Sequence, residues 1–461
     1  MRIALFVHCF FPDHIYGTEA YTMALAQELQ ALGCSVLVVS AVFAGEPSAG
    51  ALVHEYEIDG IQVWAVDKNQ APHKDLKGTY YQPENRWIYE RILRRWAPDV
   101  VHVNHLINHT GALLDVLERM AIPTFGTLTD FFGFCFNNKL EAADGSLCTG
   151  PNARRSNCVA CLFKAAHVGA DARPLVRAAS TPFRRNTASN LLARYPSLAG
   201  SLKPTVTQLI ERPDLLMKRY NSAYSGLIAP SAFLRDAYIS NGLTVPLKLS
   251  HFGIEVDRSS KPPSPKPDVT RIGYVGQIAP HKGVHILMDA FLQVNSPALS
   301  LDIWGPASQD PAYFKDLVDR SEGRPVRFNG TFPTKDIASV LAQVDVLVIP
   351  STWYENSPLI MLQALATHTP VLVSDVLGLT EFIEDGVSGF RFGRGNANEL
   401  AVRLQAFADD VQLARRMSAH TRYDRTPRDM ALEALGLYQA TCNVSVPVKA
   451  VGRNRKGRVN G

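Results

Sequence analysis

Glu355 and the backbone amides that follow it are the groups in this chain best suited to chemistry. The largely apolar run 344–349 predicts a buried parallel strand, which is followed by a short polar loop carrying Glu355 and then by a helix with Pro358 in its first turn. The first turn of a helix has amides without internal acceptors, so the amides of Ser357, Leu359 and Ile360 are expected to bind an anion. This arrangement predicts a phosphate-bearing ligand with a carboxylate beside it.

Four cysteines form a second group that could bind a metal or take part in chemistry. They have the spacing C-x12-C-x9-C-x2-C and are Cys135, Cys148, Cys158 and Cys161. The C-x2-C pair has the spacing of a zinc knuckle. A structural zinc ion would stabilise a loop that is too polar to fold by itself. An iron–sulfur cluster and free or redox-active cysteines are the alternatives.

These groups need a framework, and the hydrophobic pattern predicts an α/β one. Strand, helix and strand follow one another over 3–40, and the same alternation restarts after the proline-rich segment 261–267. Two halves built from βαβ units imply two doubly wound, Rossmann-like domains that face each other across a cleft. The G-x-G-x-x-G fingerprint is absent from the first βα turn, which argues against a nicotinamide or flavin enzyme.

The length of 461 residues is too great for one ordinary core, so we predict two domains and two C-terminal extensions. The N-terminal domain is expected over 1–245, with a Cys/Arg-rich insertion at 130–206. The C-terminal domain is expected over 246–425. A helix over 426–442 is expected to pack back toward the N-terminal domain, and a disordered basic tail is expected over 443–461.

Composition and charge exclude several classes of protein. Hydrophobic residues make up 46% and charged residues 20% of the chain, as in soluble globular proteins, and there is no apolar run of about 18 residues that would cross a membrane. The N-terminal segment MRIALFVHCFFP is predicted to be a core strand and not a signal peptide, so we expect a cytoplasmic protein. The segment 443–461 carries five basic residues and no acidic one, whereas the whole chain has a net charge of only +4. The rest of the chain is therefore close to neutral, which argues against a nucleic-acid-binding protein.

Five segments, in order along the chain, resemble the motifs of retaining glycosyltransferase family 4, which has the two-domain GT-B fold. The clearest is the pattern PSxxxExxPxxxxxAxAxxxPVxxSD, which begins at Pro350. The other four are the loop FP…GTE at 11–19, the run DVVHVNH at 99–105, the loop GYVGQIAPHKG at 273–283 and the segment GLTEFIEDGVSG at 378–389. Each of these motif matches is weak evidence alone, but five matches in the right order are specific for the family.

The resemblance implies an enzyme that transfers a sugar from a nucleotide-sugar to an acceptor and retains the anomeric configuration. Lys282 would neutralise the leaving diphosphate, Glu355 would bind the sugar or stabilise positive charge at its anomeric carbon, and His105 and Asp130 would contact acceptor or sugar. The expected donor-binding residues are Gly17, Gln277, Lys282, Ser357, Leu359, Gln363 and Glu381. The acceptor would be a glycan, a lipid-linked sugar or another glycoconjugate, and no cofactor is expected for catalysis.

Two positions depart from the family pattern. Gln363 stands where the family has the second glutamate of its pair, and Gln277 stands where it has a phosphate-loop arginine. These changes motivate an alternative hypothesis, a weakly active or non-catalytic protein that binds nucleotide or glycan as the partner of another transferase. A GT-B sugar-nucleotide epimerase is the third hypothesis, and it would require an acid/base pair in the cleft and no acceptor.

A basic segment follows the cysteines and suggests a surface for anionic partners. Its basic residues, opposed by the single acid Asp171, are Arg173, Arg177, Arg184, Arg185, Arg194 and Lys203. Interspersed apolar residues such as Leu175 and Phe183 predict an amphipathic helix that would lie on an anionic membrane or bind a lipid-linked diphosphate. An ordinary solvated helix face is the alternative. A peripheral position at the inner membrane face is therefore one expectation.

Overall fold

The computed structural model describes residues 1–48, 50–165, 173–259 and 268–442 and contains two largely parallel sheets. The N-terminal sheet has the strand order β3-β4-β2-β1-β5-β6-β7-β8, and only the pair β3–β4 is antiparallel. Its strands are β1 (Arg2–Phe6), β2 (Ser35–Val42), β3 (Val53–Ile58), β4 (Ile61–Asp67), β5 (Val100–Val103), β6 (Thr124–Thr127), β7 (Gly226–Ala229) and β8 (Leu247–Leu249). Its helices are α1 (Gly17–Ala31), α2 (Arg86–Trp96), α3 (Thr110–Arg119), α4 (Ser156–Ala165), α5 (Pro174–Ser180), α6 (Arg185–Arg194), α7 (Lys203–Ala223) and α8 (Ala232–Ser240).

The C-terminal sheet has the strand order β11-β10-β9-β12-β13-β14 and is parallel throughout. Its strands are β9 (Thr270–Val275), β10 (Leu299–Trp304), β11 (Val326–Gly330), β12 (Val346–Ile349), β13 (Val371–Ser374) and β14 (Gly389–Phe392). The helices that follow β9 in the chain are α9 (Val284–Val294), α10 (Pro311–Arg320), α11 (Ile337–Leu341), α12 (Leu359–Ala366), α13 (Ala397–Asp409), α14 (Leu413–Ser418) and α15 (Pro427–Cys442).

Local sequence explains why the central elements form where they do. β1 is an unbroken apolar run after Arg2, as expected for a parallel strand that is buried on both faces. α1 is followed closely by Gly33, which has a φ of +89°. The Gly33 amide donates to Gln30 O at 2.8 Å and the Cys34 amide to Leu29 O at 3.0 Å. This is the paired bonding of a Schellman motif, which returns the chain directly into β2.

The last helix joins the two halves of the molecule. α15 packs against α1, and the Tyr438 hydroxyl of α15 lies 2.7 Å from His102 Nδ1 in β5. A single cluster of buried side chains includes Leu25 of α1, Met361 of α12 and Leu435 of α15. A continuous apolar core therefore holds the C-terminal half against the N-terminal sheet.

The structure contains elements that the sequence pattern did not lead us to predict. The hairpin β3–β4 was not predicted because β3 mixes charged with apolar residues. The helix α2 was not predicted either, although its buried residues, such as Ile88, Ile92 and Trp96, recur at helical spacing. The basic segment forms two short helices, α5 and α6, instead of one amphipathic helix. Val176 is buried, whereas Phe183, which lies between the two helices, is 96% exposed. The apolar residues of the basic segment therefore do not share one face.

Some expectations lie outside the described residues. These are the proline-rich segment 261–267, the basic tail 443–461 and the acid Asp171. In the four described stretches, no helix has both the length and the apolar composition that crossing a bilayer requires.

Candidate active site

Lys282 and Glu355 meet at the carboxyl ends of two neighbouring strands. Lys282 follows β9, Glu355 follows β12, and these strands pair in parallel. Lys282 Nζ lies 2.7 Å from Glu355 Oε1, and the same oxygen accepts hydrogen bonds from Ser351 Oγ at 2.6 Å and Trp353 Nε1 at 3.0 Å. The structure thus brings together the cation and the carboxylate that the sequence indicated separately.

Glu355 is a buried carboxylate that stays charged. Burial raises its pKa, but the Lys282 ammonium and the hydrogen bonds from Lys282, Ser351 and Trp353 outweigh burial, so the pKa of Glu355 lies below its ordinary value. The Lys282 side chain is 21% exposed, whereas that of Glu355 is 8% exposed. An anion that enters the site can therefore reach Lys282 and compete with Glu355 for it.

Two glycines allow the loops to approach closely enough for this pair. Gly283 has a φ of +73°, and a Cβ there would lie 1.9 Å from Pro350 O. Gly378 has a φ of +87°, and a Cβ there would lie 1.6 Å from Glu355 O. Neither position accepts a side chain, so Gly283 fixes the Lys282 loop and Gly378 fixes the backbone of Glu355.

The helix after Glu355 was predicted to carry Pro358 in its first turn, but in the structure it begins after Pro358. α12 starts at Leu359, and Pro358 is its N-cap. The first backbone hydrogen bond of α12 runs from the Met361 amide to Pro358 O at 3.0 Å. The amides of Leu359 and Ile360 therefore have no acceptor inside the helix. Ser357 precedes the helix with a φ of +56°, and its hydroxyl donates to Pro230 O at 3.0 Å.

His105 and Asp130 form a second pair, on the N-terminal side of the cleft. His105 Nε2 lies 3.0 Å from Asp130 Oδ2. The Ile107 amide donates to His105 Nδ1 at 3.0 Å, so Nδ1 is an acceptor and Nε2 carries the proton that Asp130 accepts. The Phe132 amide donates to Asp130 Oδ1 at 2.8 Å. Asp130 is therefore held as an oriented carboxylate.

The two pairs lie on loops that touch across the cleft. Asn356 Nδ2, next to Glu355, donates to Thr129 O, next to Asp130, at 3.1 Å. Glu381 makes another contact between the two halves, since its Oε2 accepts from the Ala232 amide at the start of α8 at 2.7 Å. The contact places Glu355 and Asp130 on adjoining loops, as the sides of one active site require.

The other predicted donor-site residues lie on the same loops or on α1 and α12. Gly17 opens α1, and a Cβ there would meet no atom within 4 Å, so space for a ligand lies beside it. Gln277 is half-buried, and its carbonyl accepts from the Tyr274 hydroxyl at 2.6 Å. Gln363 is half-buried on α12. Sequence reasoning assigned no role to Trp353, although its place two residues before Glu355 was a usable signal.

The four cysteines are neighbours but do not form a closed ligand set. Asn157 contacts Cys148 Sγ through Nδ2 at 3.6 Å and Cys158 Sγ through Oδ1 at 3.7 Å. No three of the cysteine sulfurs come within 4.8 Å of one another in the described chain. Burial and the neighbouring thiols raise the pKa values of Cys158 and Cys161 to about 12, so both are protonated thiols at neutral pH. Four thiols suit zinc, which would displace these protons and draw the sulfurs closer.

Purified protein is therefore expected to contain about one zinc ion per chain, held by Cys135, Cys148, Cys158 and Cys161. Elemental analysis by mass spectrometry measures it. The Cys158→Ser variant should lose the zinc, whereas Cys34→Ser, which alters a buried cysteine outside the group, should keep it. Protein without zinc or iron would contradict the metal site and leave four free cysteines.

His8, Cys9 and Glu19 form a buried polar group at the end of β1. Their ligand atoms lie within 4.8 Å of one another, which is close enough for a metal ion. His8 Nε2 and Cys9 Sγ each lie 3.2 Å from the same oxygen, Glu19 Oε1. His8 Nδ1 has no partner in the structure, whereas metal-binding histidines generally donate from the second nitrogen. We interpret the group as a carboxylate held by two hydrogen-bond donors.

Two protein families match this chain. The family described as "Glycosyl transferase 4-like domain" matches residues 16–246, and the family described as "Glycosyl transferases group 1" matches residues 269–410. The first match covers the strands β2 to β7 of the N-terminal sheet, and the second covers all six strands of the C-terminal sheet.

Relatives of known name align with part of the chain. The glycogen synthase of Mycobacterium tuberculosis is 28% identical over 160 residues, which are 34% of this chain and 38% of that protein. The D-inositol 3-phosphate glycosyltransferase of Corynebacterium kroppenstedtii is 32% identical over 150 residues, which are 31% of this chain and 33% of that protein. The chain thus aligns with 33% to 38% of the length of these relatives.

Solved structures resemble the chain over nearly its whole length. Anabaena HepE in complex with UDP and glucose superposes with a TM-score of 0.58 and 16% identity, covering 96% of this chain and 98% of that one. A glycosyltransferase from Rickettsia africae superposes with a TM-score of 0.64 and 14% identity, covering 96% and 99%. The predicted fold, two facing Rossmann-like domains of the GT-B type, is confirmed.

Proposed function

This chain belongs to the glycosyl transferase family whose 4-like and group 1 domains match it, and we propose that it transfers a sugar from a nucleotide-diphosphate donor to an acceptor with retention of anomeric configuration. The observation that carries the proposal is the contact of Lys282 with Glu355 beside the first amides of α12. A cation and free amides favour a diphosphate, and a carboxylate at the same point favours sugar hydroxyls or positive charge.

The geometry supports an exchange of partners when the donor binds. The diphosphate pairs with Lys282 and accepts from the amides of Leu359 and Ile360. Glu355 is then released from Lys282 while it keeps its bonds from Ser351 and Trp353, and it faces the sugar. As the bond between sugar and phosphate breaks, negative charge grows on the diphosphate and is stabilised by Lys282.

The N-terminal side of the cleft supports an acceptor site. Asp130 is oriented by His105 and by the Phe132 amide, and its side chain is 22% exposed, so it can accept a hydrogen bond from an acceptor hydroxyl. His105 donates to Asp130 and therefore acts by positioning that carboxylate. We infer that the acceptor is a glycan, a lipid-linked sugar or another glycoconjugate used in polysaccharide or cell-surface glycan synthesis.

A screen of nucleotide-sugars tests the proposal. The protein is incubated with UDP-, GDP-, ADP- and TDP-sugars, with and without a mixture of oligosaccharide acceptors, and release of nucleoside diphosphate is measured. The proposal expects release from at least one donor. Binding of a nucleotide without any release would favour the non-catalytic binding partner, and a changed nucleotide-sugar without release would favour the epimerase.

The basic segment supports a peripheral contact with an anionic membrane at the inner face of the cytoplasmic membrane. Phe183 is 96% exposed and lies beside Arg184, and Leu191 and Tyr195, four residues apart, are 42% and 48% exposed. Exposed aromatic and basic side chains together favour anionic lipid surfaces.

The protein is expected to sediment with vesicles of phosphatidylglycerol and phosphatidylcholine, because Phe183 would insert while Arg184 pairs with lipid phosphates. Replacing Phe183 by serine should weaken this binding about tenfold. Val402→Ser, which alters an exposed apolar residue of α13, is the matched control. Equal binding by Phe183→Ser and the unaltered protein would mean that the basic segment is an ordinary solvated surface.

A further inference from the structure

The cysteine segment, residues 135–161, reaches across the cleft to the C-terminal domain. Arg394 Nη2, which follows β14, donates to Gly145 O at 2.8 Å, and the Arg394 Nε also donates to Thr352 O. Tyr354 packs in one apolar cluster with Cys148. The cysteine segment therefore lies over the loop that carries Glu355.

Lys139 of this segment lies at the same indole as Lys282. Lys139 Nζ is 5.2 Å from the centre of the Trp353 ring, and Lys282 Nζ is 4.9 Å from it. The His281 ring is 4.3 Å from the Trp353 ring. Two ammonium groups from opposite domains thus approach one aromatic side chain whose Nε1 donates to Glu355.

The backbone that carries Lys139 is held in place. The Lys139 amide donates to Asn137 Oδ1 at 3.0 Å, the neighbouring Leu140 is buried, and the Cys148 amide donates to Leu140 O at 2.7 Å. The Lys139 side chain itself is exposed. A fixed backbone with an exposed side chain presents the ammonium group to a ligand in the cleft.

Of the two ammonium groups at Trp353, that of Lys282 is paired with a carboxylate, whereas that of Lys139 has no carboxylate partner among the described residues. Glu355 is the carboxylate bonded to Lys282, and Glu141 is paired with Lys164 at 3.7 Å. Lys139 is held near Trp353 by a cation–π contact, which is weaker than an ion pair with a phosphate. Gln277 in the adjacent loop is uncharged and does not supply a second cation.

We propose that Lys139 is a donor-binding residue, which the cysteine segment brings over the cleft to pair with the diphosphate together with Lys282. This inference rests on the proposed function and adds a binding group from the opposite domain. The diphosphate would replace Trp353 as the partner of Lys139 and Glu355 as the partner of Lys282.

Calorimetric titration with UDP, GDP and ADP, each compared with its parent nucleoside, tests this role. For the diphosphate that binds most tightly, Lys139→Met should weaken binding about tenfold, since a charge-assisted hydrogen bond is lost. Lys139→Arg should remain close to the unaltered protein, and neither change should affect the nucleoside. Lys218→Met, which removes the same charge from an exposed position on α7, is the control.

Three results would overturn the inference. If Lys139→Met binds the diphosphate as tightly as the unaltered protein while Lys282→Met does not, Lys139 has no part in the site and the proposed function stands. If Lys218→Met weakens binding as much as Lys139→Met, the loss of affinity comes from the change in net charge and not from a contact of Lys139 with the diphosphate. A chain that binds none of the three diphosphates would contradict the proposed function as well. The Gln277→Arg change in the Lys139→Met background is expected to restore part of the affinity.

Discussion

Lys282→Met is expected to lower the turnover number for sugar transfer about 100- to 1,000-fold, the loss that follows removal of one group that stabilises transition-state charge. Lys282 is the cation at the point where the strands β9 and β12 end, and the diphosphate gains negative charge there as the sugar leaves. Methionine keeps most of the side-chain volume and removes the charge. The measurement is release of nucleoside diphosphate at a saturating donor concentration.

Lys335→Met is the matched control for Lys282→Met, because Lys335 is an exposed lysine of the same domain. The turnover number of Lys335→Met should equal that of the unaltered protein. Thermal unfolding of both variants separates a loss of activity from a loss of fold. A folded Lys282→Met protein that keeps more than about a tenth of the normal rate would contradict the assigned role.

Glu355→Gln is expected to separate turnover from nucleotide binding. Glutamine has the shape of glutamate and can still accept from Ser351 and Trp353, but it carries no charge for the sugar and no longer pairs with Lys282. Transfer should fall about 100-fold, because a charged group at the reaction centre is lost. Binding of nucleoside diphosphate should become several-fold tighter, because the anion no longer competes with Glu355 for Lys282.

The same calorimetric and kinetic assays measure both effects of Glu355→Gln. Glu322→Gln, which neutralises an exposed glutamate of the same domain, should change neither. A parallel loss of turnover and of nucleotide affinity would show that Glu355 does not compete with the ligand. The partner exchange proposed above would then be wrong.

Much of the framework could be predicted because its strands are continuous apolar runs between turn residues. The apolar runs 3–7, 124–127, 226–229 and 299–304 predict strands, and these bounds agree within one residue with β1, β6, β7 and β10, since parallel strands that are buried on both faces give an unambiguous pattern. β3 was missed because Glu55 and Glu57 alternate with apolar residues at the edge of the sheet, where one face meets solvent. The fold was confirmed, whereas the domain limits stay predictions.

The site could be predicted only in part, because spacing in the sequence does not show how loops from different strands meet. The motifs indicated Lys282 and Glu355 separately, and their 2.7 Å contact depends on the approach of Gly283 to Pro350 and of Gly378 to Glu355. No spacing pointed to Lys139, which is 214 residues from Trp353 along the chain and joins it only through the folding of the cysteine segment. The roles of the predicted site residues and the zinc ligands stay predictions.

Nuclear magnetic resonance of the anomeric proton during reaction is the most direct test of the central claim, retaining sugar transfer at the Lys282–Glu355 site. The protein is mixed with the donor found in the screen and with the acceptor mixture, and the anomeric signals are followed over time. The account predicts that the donor signal decays, that a glycoside of the same anomeric configuration appears, and that Lys282→Met slows both changes together. A donor signal that stays unchanged, or a product of the opposite configuration, would contradict it.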